Sequence, residues 1–340
     1  MPLLEVRDLR VSFHTHAGTV EAVRGVSFDL NAGEVVGIVG ESGCGKSVTA
    51  HTILGLINQP PGAIESGQVL FKGENLLAKT ERQMQDIRGN QIGIIFQDPM
   101  TSLNPTMRIG QQLLEGIYRH QKVSRGEGKK IALELLEAVG IPEPERRFNQ
   151  YPHEFSGGMR QRVMIAIALA CSPSLIIADE PTTALDVTIQ AQILELMKKL
   201  KDDRGMSILL ITHDLGVVAG ICDRIVVMYA GEVMESGTVE QIFYNPQHPY
   251  TKALLEAVPR LGQSHKQKLI PIEGAPPHLL YPPKGCPFTA RCKWAMQVCP
   301  DHRPPLEEVS PGQKAACWLH EPRAQDRLKQ FQSEEVVVPR

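Results

Sequence analysis

The sequence predicts an α/β fold: a parallel core sheet with an antiparallel β subdomain, an α-helical subdomain and a loop-rich C-terminal extension. Three observations support this prediction. Apolar runs of strand length alternate with segments of helical periodicity, and near the N-terminus apolar residues recur at every second position. A glycine-rich segment of the kind that binds phosphate joins one apolar run to a predicted helix. The 340 residues suffice for two domains or for one large domain with an extension.

The composition excludes several classes of protein. A formal net charge of -2 provides no broad basic surface, so nucleic acid is not an expected partner. The N-terminal residues are charged early and lack the apolar core of a secretory signal. No apolar run approaches the roughly 20 residues that span a bilayer. We therefore expect a protein of the cytosol that reaches a membrane only through a partner.

The N-terminal segment carries the pattern of half-buried strands. Apolar and polar side chains alternate around Val11 and again around Val26. A period of two residues places alternate side chains on one face of a sheet. We therefore expect an antiparallel sheet near the nucleotide-binding segment.

The glycine-rich segment follows the apolar run at 35–39 and matches the pattern G-x-x-x-x-G-K-S of P-loop nucleoside triphosphatases. Its residues, all expected to bind nucleotide, are Gly40, Glu41, Ser42, Gly43, Cys44, Gly45, Lys46, Ser47 and Val48. Glycines let backbone N–H groups turn toward phosphate oxygens, Lys46 neutralises the outer phosphates, and the Ser47 hydroxyl binds Mg²⁺. A plain glycine-rich turn is the alternative, which the strand–loop–helix context disfavours.

The rest of the chain divides where periodicity and proline content change. The predicted parts are a nucleotide-binding core over 1–97 and 166–244, a helical subdomain over 98–165 and a C-terminal extension over 245–340. Apolar runs at 175–178 and 207–211 flank a helical segment at 189–200, so we expect the parallel sheet to resume there. One phosphate-binding segment indicates one nucleotide-binding unit per chain.

Two carboxylates follow the apolar run at 175–178. Because α/β sheets bind ligands at the carboxyl ends of their strands, Asp179 and Glu180 are expected at the nucleotide. Asp179 is predicted to hold the Mg²⁺ shell, and Glu180 to polarise the water that attacks the γ-phosphate. An acidic strand end that only caps the next helix is the alternative. The phosphate-binding segment favours the catalytic role.

A second glycine-containing segment, Ser156-Gly157-Gly158, precedes a long apolar helical run. Ser156 is suited to cap that helix, and the two glycines leave backbone N–H groups open to a phosphate. At this segment the chain resembles the ATP-binding-cassette (ABC) family, whose signature motif has the same core. Phe155 and Met159 depart from the leucine and glutamine that are commoner at the flanks of that motif.

Three further residues match positions of the ABC family in the expected order along the chain. The resemblance implies that Gln97 touches Mg²⁺, contributes to catalysis and relays the nucleotide state to a membrane partner. It also implies that Asp186 crosses a dimer interface and that His213 is the switch residue contacting the γ-phosphate. Phe13 is the candidate for stacking on adenine.

The same resemblance implies a head-to-tail dimer, in which each ATP lies between the phosphate loop of one chain and the signature motif of the other. ATP binding then closes the dimer and hydrolysis releases it. Segments at 97–105, 180–188 and 245–251 resemble the D-type ATPase subunit of dipeptide and oligopeptide importers. Such importers combine a second, homologous ATPase subunit with two integral-membrane permeases and an extracytoplasmic substrate-binding protein.

The resemblance thus implies an ABC nucleotide-binding domain that hydrolyses ATP to power peptide uptake, at the cytoplasmic face of the cell membrane and attached through the permeases. One alternative is the ATPase of an importer for nickel or another small solute, since nickel importers are near relatives. A second alternative is a soluble ATPase that serves as a metal or iron–sulfur sensor.

Four of the seven cysteines crowd the C-terminal extension: Cys286, Cys292, Cys299 and Cys317. In a cytosolic protein such a cluster indicates metal or redox chemistry rather than disulfides. Four thiolates suit tetrahedral Zn²⁺ or a [4Fe–4S] cluster, and their spacing does not choose between the two. Resemblance to peptide-importer ATPases that carry an iron–sulfur cluster in a similar segment favours [4Fe–4S], with Zn²⁺ and unligated thiols as the alternatives.

Overall fold

The computed structural model describes residues 1–183, 186–257 and 271–334. The strands of this part of the chain are β1 Leu4–Thr15, β2 Gly18–Leu30, β3 Val35–Val39, β4 Gly62–Phe71, β5 Glu74–Asn75, β6 Ile92–Ile95, β7 Leu175–Asp179, β8 Ser207–Thr212, β9 Arg224–Tyr229, β10 Glu232–Thr238, β11 Glu307–Ser310 and β12 Gln313–Ala315. The α-helices are α1 Lys46–Ile53, α2 Glu81–Ile87, α3 Pro99–Ser102, α4 Ile109–His120, α5 Arg125–Ala138, α6 Pro144–Arg147, α7 Gly157–Ala168, α8 Val187–Arg204, α9 Leu215–Ile221, α10 Val239–Tyr244, α11 Pro249–Glu256 and α12 Gln325–Ser333. Over the described ranges, none of these helices combines the length and apolar character needed to span a bilayer. The predicted α/β class is confirmed.

The chain forms two compact units. The first unit comprises Met1–Leu3, Leu30–Val35 and Asn75–Ile211. The second unit comprises Leu4–Asp29, Val36–Glu74 and the described part of Thr212–Arg340.

The first unit contains a parallel sheet and most of the helices. Strand β7 lies between β6 and β8, with Ile177 opposite Ile94 on one side and Leu209 on the other. The side chains of β7 are buried on both faces, as expected for a parallel strand covered by helices. Helices α4 and α5 pack against α7. The helical periodicity that predicted elements at 109–117 and 131–139 therefore corresponds to α4 and α5.

The second unit begins with the antiparallel sheet expected at the N-terminus. Strand β1 pairs with β4, with Leu4 opposite Phe71, and β2 lies on the other side of β1. The side chains of Leu9 and Val11, two positions apart, are buried, which accounts for the alternating pattern predicted around Val11.

The second unit also contains a mixed sheet in which β3 runs parallel to β9 and β10 runs antiparallel to β9. The C-terminal extension adds two strands to this sheet, because β12 pairs with β10, placing Ala315 opposite Glu235, and β11 pairs with β12. The expectation of a loop-rich extension missed these strands. With four and three residues, they are too short and polar to show a period of two.

Glu235 of β10 ties the extension to the sheet. Its fully buried carboxylate accepts hydrogen bonds from the backbone N–H groups of Gln247 and His248, at 2.8 and 2.9 Å, and from Gln313 Nε2 at 2.8 Å. Burial raises the pKa of Glu235 to about 7. A single buried acidic side chain thus connects β10, the segment before α11 and β12.

Candidate nucleotide-binding and catalytic site

The phosphate loop joins β3 to α1 in the second unit, and its glycines are required by geometry. Gly40, Gly43 and Gly45 have φ angles of +154°, +78° and +96°. A Cβ atom at Gly40 would lie 2.1 Å from the carbonyl oxygen of Met228, and one at Gly45 would lie 2.4 Å from that of Ala22. The backbone therefore adopts a tight turn that only glycine permits at these two positions.

Lys46 is buried at the start of α1, with 5% of its surface exposed. Its ammonium group donates hydrogen bonds to the carbonyl oxygens of Gly40 and Glu41, at 2.8 and 3.0 Å. Ser47 and Val48 follow in the first turn of α1. Loop amides, a lysine and a helix N-terminus form an anion-binding arrangement.

Cys44 lies within the phosphate loop beside Lys46, whose Nζ donates to Cys44 Sγ at 3.7 Å. Its thiol is buried, and burial raises the pKa of Cys44. A raised pKa disfavours the thiolate, which is the nucleophilic form of cysteine. We therefore expect the backbone at this position, and not the sulfur atom, to serve the site.

Tyr250, whose role the sequence patterns did not predict, holds the phosphate loop from the C-terminal side. Its hydroxyl oxygen accepts a hydrogen bond of 3.0 Å from the backbone N–H of Glu41. His248 Nδ1 accepts a hydrogen bond of 3.0 Å from the backbone N–H of Tyr250 and so caps α11. In the sequence, the resemblance of segment 245–251 to the D-type subunit of peptide importers indicates this region, but it assigns no role to Tyr250 or His248.

The predicted catalytic carboxylates lie in the first unit, at the end of β7. Asp179 is 3% exposed. Glu180 has a left-handed φ of +46°, and its backbone N–H donates a hydrogen bond of 2.8 Å to the carbonyl oxygen of Ile211. Glu180 Oε2 accepts hydrogen bonds of 2.9 Å from both Gln97 Nε2 and Thr183 Oγ1. The structure therefore brings Gln97 and Glu180 together and adds Thr183, which lies in the segment singled out at 180–188 without a role of its own.

The signature segment lies at the start of α7 in the first unit. Ser156 Oγ caps the helix by accepting a hydrogen bond of 3.4 Å from the backbone N–H of Met159, as predicted. Ser156 and Gly157 are exposed, and a Cβ atom at Gly158 would lie 3.0 Å from Ile189. The segment thus presents its first two residues to solvent.

Asp186 is exposed and caps α8, since its carboxylate accepts a hydrogen bond of 2.9 Å from the backbone N–H of Ile189. The preceding residues of the predicted motif, Ala184 and Leu185, lie outside the described residues. The exposed position of Asp186 is compatible with the predicted role at an interface.

Two further predicted residues lie in the second unit. His213 is exposed, immediately before Asp214, which caps α9. Phe13 lies near the end of β1, opposite Gly62 of β4, and is half-buried. Both side chains reach the surface of the unit, as contact with a nucleotide requires.

The four C-terminal cysteines line one small cavity with a volume of about 20 Å³. Burial raises the pKa of Cys286 to about 11 and that of Cys292 to about 12, and it also raises the pKa of Cys317. In the described ranges, no group of three or more His, Cys, Asp or Glu side chains has the arrangement of a metal site. The structure thus gathers the cysteines without the geometry of a bound ion.

Comparison with known proteins decides the family. A family model described as ABC transporter matches residues 23–183, and one described as oligopeptide/dipeptide transporter, C-terminal region, matches residues 234–299. The chain is 56% identical over 322 residues to the oligopeptide transport ATP-binding protein OppD of Bacillus subtilis (strain 168). The aligned region covers 95% of this chain and 90% of that relative. The chain belongs to the ABC transporter family.

Further comparisons place the protein among the ATPase subunits of the ABC family. It is 56% identical over 323 residues to the dipeptide transport ATP-binding protein DppD of Lactococcus lactis subsp. cremoris (strain MG1363), covering 95% of this chain and 92% of the relative. A solved dimeric structure of the ATP-binding cassette MJ0796, bound to ADP and Pi after hydrolysis, is 30% identical with a TM-score of 0.62, over 69% of this chain and 98% of that one. The protein is an ABC ATPase, for which ATP and Mg²⁺ are fitting ligands.

Proposed function

We propose that this ABC ATPase is the ATP-hydrolysing subunit of an importer for dipeptides or oligopeptides. One observation carries the proposal: the likeness extends beyond the nucleotide-binding cassette into residues 234–299, which match the C-terminal region of oligopeptide/dipeptide transporters. Relatives that cover 95% of the chain are named for oligopeptide and dipeptide transport. The C-terminal region distinguishes this branch from other cassettes.

The phosphate loop would bind the triphosphate. Its turned backbone presents N–H groups, and Lys46 exchanges its carbonyl partners for phosphate oxygens. ATP supplies the γ-phosphoryl group, and Mg²⁺ would be held by Ser47, Gln97 and Asp179. Phe13 would stack on the adenine base.

Glu180 is proposed to accept a proton from the attacking water, and His213 to contact the γ-phosphate. Gln97 and Thr183 fix Glu180 Oε2, so the carboxylate is oriented before substrate arrives. Preorganisation of this kind lowers the reorganisation needed in the transition state.

The signature segment and Asp186 are proposed to serve a partner. Ser156 and Gly157 are exposed at the N-terminus of a helix of twelve residues, which favours contact with a phosphate group bound by another chain. We propose a heterodimer with a second, homologous ATPase subunit. This pair would attach to two permeases at the cytoplasmic face of the membrane and take substrate from an extracytoplasmic binding protein.

The predicted boundaries give each part a proposed task. Residues 98–165 would form the helical subdomain that moves with the signature segment. Residues 1–97 and 166–244 would form the ATPase core, and residues 245–340 the C-terminal extension, of which 258–270 and 335–340 lie outside the described residues.

The test is transport by the full complex in proteoliposomes, with uptake of a labelled dipeptide and release of phosphate as readouts. Glu180→Gln should lower phosphate release about 100-fold or more and abolish uptake while ATP binding persists. The matched control is Glu195→Gln, which changes an exposed glutamate of α8 and should act like the wild type. Full turnover in Glu180→Gln, or normal ATPase activity without peptide uptake in the wild-type complex, would contradict the proposal.

We also propose that Cys286, Cys292, Cys299 and Cys317 hold a metal centre. Their gathering around one cavity and the preference of thiolates for Zn²⁺ and iron–sulfur clusters support it. Family resemblance favours a [4Fe–4S] cluster. Because ligation requires deprotonated sulfur, binding must overcome the raised pKa of the buried thiols.

Anaerobic purification of the full chain tests this metal centre. A [4Fe–4S] cluster predicts a brown protein with about four iron atoms per chain and visible absorbance that is lost in Cys292→Ser. Cys171→Ser is the matched control, since Cys171 lies outside the cavity. A colourless protein with stoichiometric zinc would reject the cluster, and a metal-free protein would reject both forms.

A further inference from the structure

Arg291 of the C-terminal extension forms a bidentate ion pair with the phosphate loop. Its Nη1 and Nη2 atoms lie 2.6 and 3.0 Å from the two carboxylate oxygens of Glu41. The two residues are 250 positions apart in the sequence. The Arg291 side chain is 4% exposed and that of Glu41 is 25% exposed, so solvent screens this pair far less than a surface pair.

The guanidinium group of Arg291 donates five hydrogen bonds. Besides Glu41, it donates from Nε to the carbonyl oxygen of Glu273 at 3.0 Å, from Nη1 to Tyr229 Oη at 3.1 Å and from Nη2 to the carbonyl oxygen of Ile272 at 3.0 Å. These contacts use the five N–H donors that a guanidinium possesses. A group held in this way has one orientation, and lysine cannot reproduce its fork.

Glu41 is held at three points. Arg291 binds its carboxylate, the Tyr250 hydroxyl accepts from its backbone N–H, and Lys46 donates to its carbonyl oxygen at 3.0 Å. Tyr250 is itself packed against Tyr229 and Phe288, with ring centroids 4.6 and 5.3 Å apart. Residues of the C-terminal extension thus bind both the backbone and the side chain of Glu41.

We propose that Arg291 is a positioning residue of the ATP site, acting through Glu41. It fixes the second residue of the phosphate loop, so that the loop is ordered before the triphosphate binds. It also neutralises a carboxylate that would otherwise repel the triphosphate at close range. The inference rests on the proposed role of the phosphate loop in binding ATP.

This role predicts a specific effect on binding. Without Arg291, the carboxylate of Glu41 keeps its charge but loses its counter-ion and its fixed position. The dissociation constant for Mg·ATP should rise about tenfold in Arg291→Gln, equivalent to about 1.4 kcal/mol. Because the contact is made in the ground state and the transition state alike, KM should rise while kcat stays within about twofold.

The experiment measures Mg·ATP binding to the full chain by isothermal calorimetry, with steady-state ATPase kinetics of the assembled complex. Arg291→Gln combined with Glu41→Gln removes the uncompensated charge and should recover binding to within about threefold of the wild type. A merely structural role for Arg291 predicts no such recovery. Arg323→Gln, at an exposed arginine of the same extension, should bind like the wild type.

Normal binding in folded Arg291→Gln, or a double variant no better than the single one, would overturn the positioning role. If Arg291→Gln does not fold, the same measurement is made on Arg291→Lys. A dissociation constant for Mg·ATP that is at least about threefold higher than that of the wild type supports the role, and an unchanged dissociation constant overturns it. Lys46→Ala separates this inference from the proposed function. If Lys46→Ala binds ATP normally, the role of the loop itself is wrong, whatever Arg291 does.

Discussion

The phosphate loop and the signature segment are both glycine-containing segments that open a helix, but they differ in how the rest of the chain supports them. In the phosphate loop, Lys46 is buried and Glu41 is held by Tyr250 and Arg291. In the signature segment, Ser156 is exposed and its Oγ bonds to the backbone of its own helix. We call the phosphate loop the braced segment, because Tyr250 and Arg291, which are distant in the sequence, bind Glu41. The signature segment is the exposed segment, since Ser156 binds within its own helix and is exposed to solvent.

This difference separates two tasks. A braced loop can bind a triphosphate with little loss of conformational entropy, because its backbone is already ordered. An exposed helix N-terminus has unsatisfied N–H groups that a ligand held elsewhere can use. The comparison therefore agrees with a composite ATP site, in which one chain binds the nucleotide and a partner completes the contacts.

The largest expected effect is the loss of ATP affinity caused by a substitution in the phosphate loop. In Gly40→Ala, the new Cβ would meet the Met228 carbonyl oxygen at 2.1 Å, and the backbone cannot yield without moving β9. ATP binding should weaken about 100-fold or more, as measured by calorimetry, because the loop loses its phosphate-binding geometry. Gly126→Ala, in α5 with open space around it, is the control and should bind normally. Wild-type affinity in Gly40→Ala would show that the loop is not the binding element.

A smaller effect is expected at Glu180, the proposed catalytic carboxylate. Thr183→Val keeps the size of the side chain but removes the hydroxyl that donates to Glu180 Oε2 at 2.9 Å. Turnover should fall about three- to tenfold with unchanged ATP affinity, since the variant loosens the orientation of Glu180 without touching the phosphate loop. Thr188→Val, at an exposed site on α8, provides the comparison. Equal kcat values in the two variants would remove Thr183 from the mechanism.

A third expected effect concerns stability rather than turnover: a pH dependence in the segment that holds the phosphate loop. Burial, together with charge repulsion from His320, lowers the pKa of His248 to about 3. The unfolded chain then binds more protons than the folded chain below about pH 6.5. Stability from this residue is therefore complete above pH 6.5 and decreases as the pH falls, by about 2 kcal/mol between pH 7 and 5.

His248→Asn keeps an acceptor for the Tyr250 N–H but cannot be protonated in this range. On going from pH 7 to pH 5, the unfolding free energy measured by urea denaturation should fall by about 2 kcal/mol less in this variant than in the wild type, because the contribution of Glu235 is common to both. His153→Asn changes an exposed histidine near the signature segment and should leave the pH dependence unchanged. An equal loss in wild type and His248→Asn would refute the assignment to His248.

The braced and exposed segments also differ in how far the sequence predicts them. Local patterns sufficed for β3, for β7 and for Ser156 as a helix cap, because a run of apolar residues or a capping serine acts within a few positions. The ion pair of Glu41 with Arg291 joins residues 250 positions apart, and nothing in either neighbourhood signals the other. Strands β11 and β12 are too short and polar for periodicity to reveal.

The most direct test of the composite site is Ser156→Arg in a Glu180→Gln background. The new side chain occupies an exposed position, so the variant should fold and its own phosphate loop should bind ATP within about twofold of the parent. ATP-dependent association with the proposed second ATPase subunit, measured by sedimentation velocity, should weaken about tenfold or more. Ser124→Arg, which removes the equivalent cap from α5, should associate like the parent. Undiminished ATP-dependent association of Ser156→Arg would contradict a site completed by the signature segment.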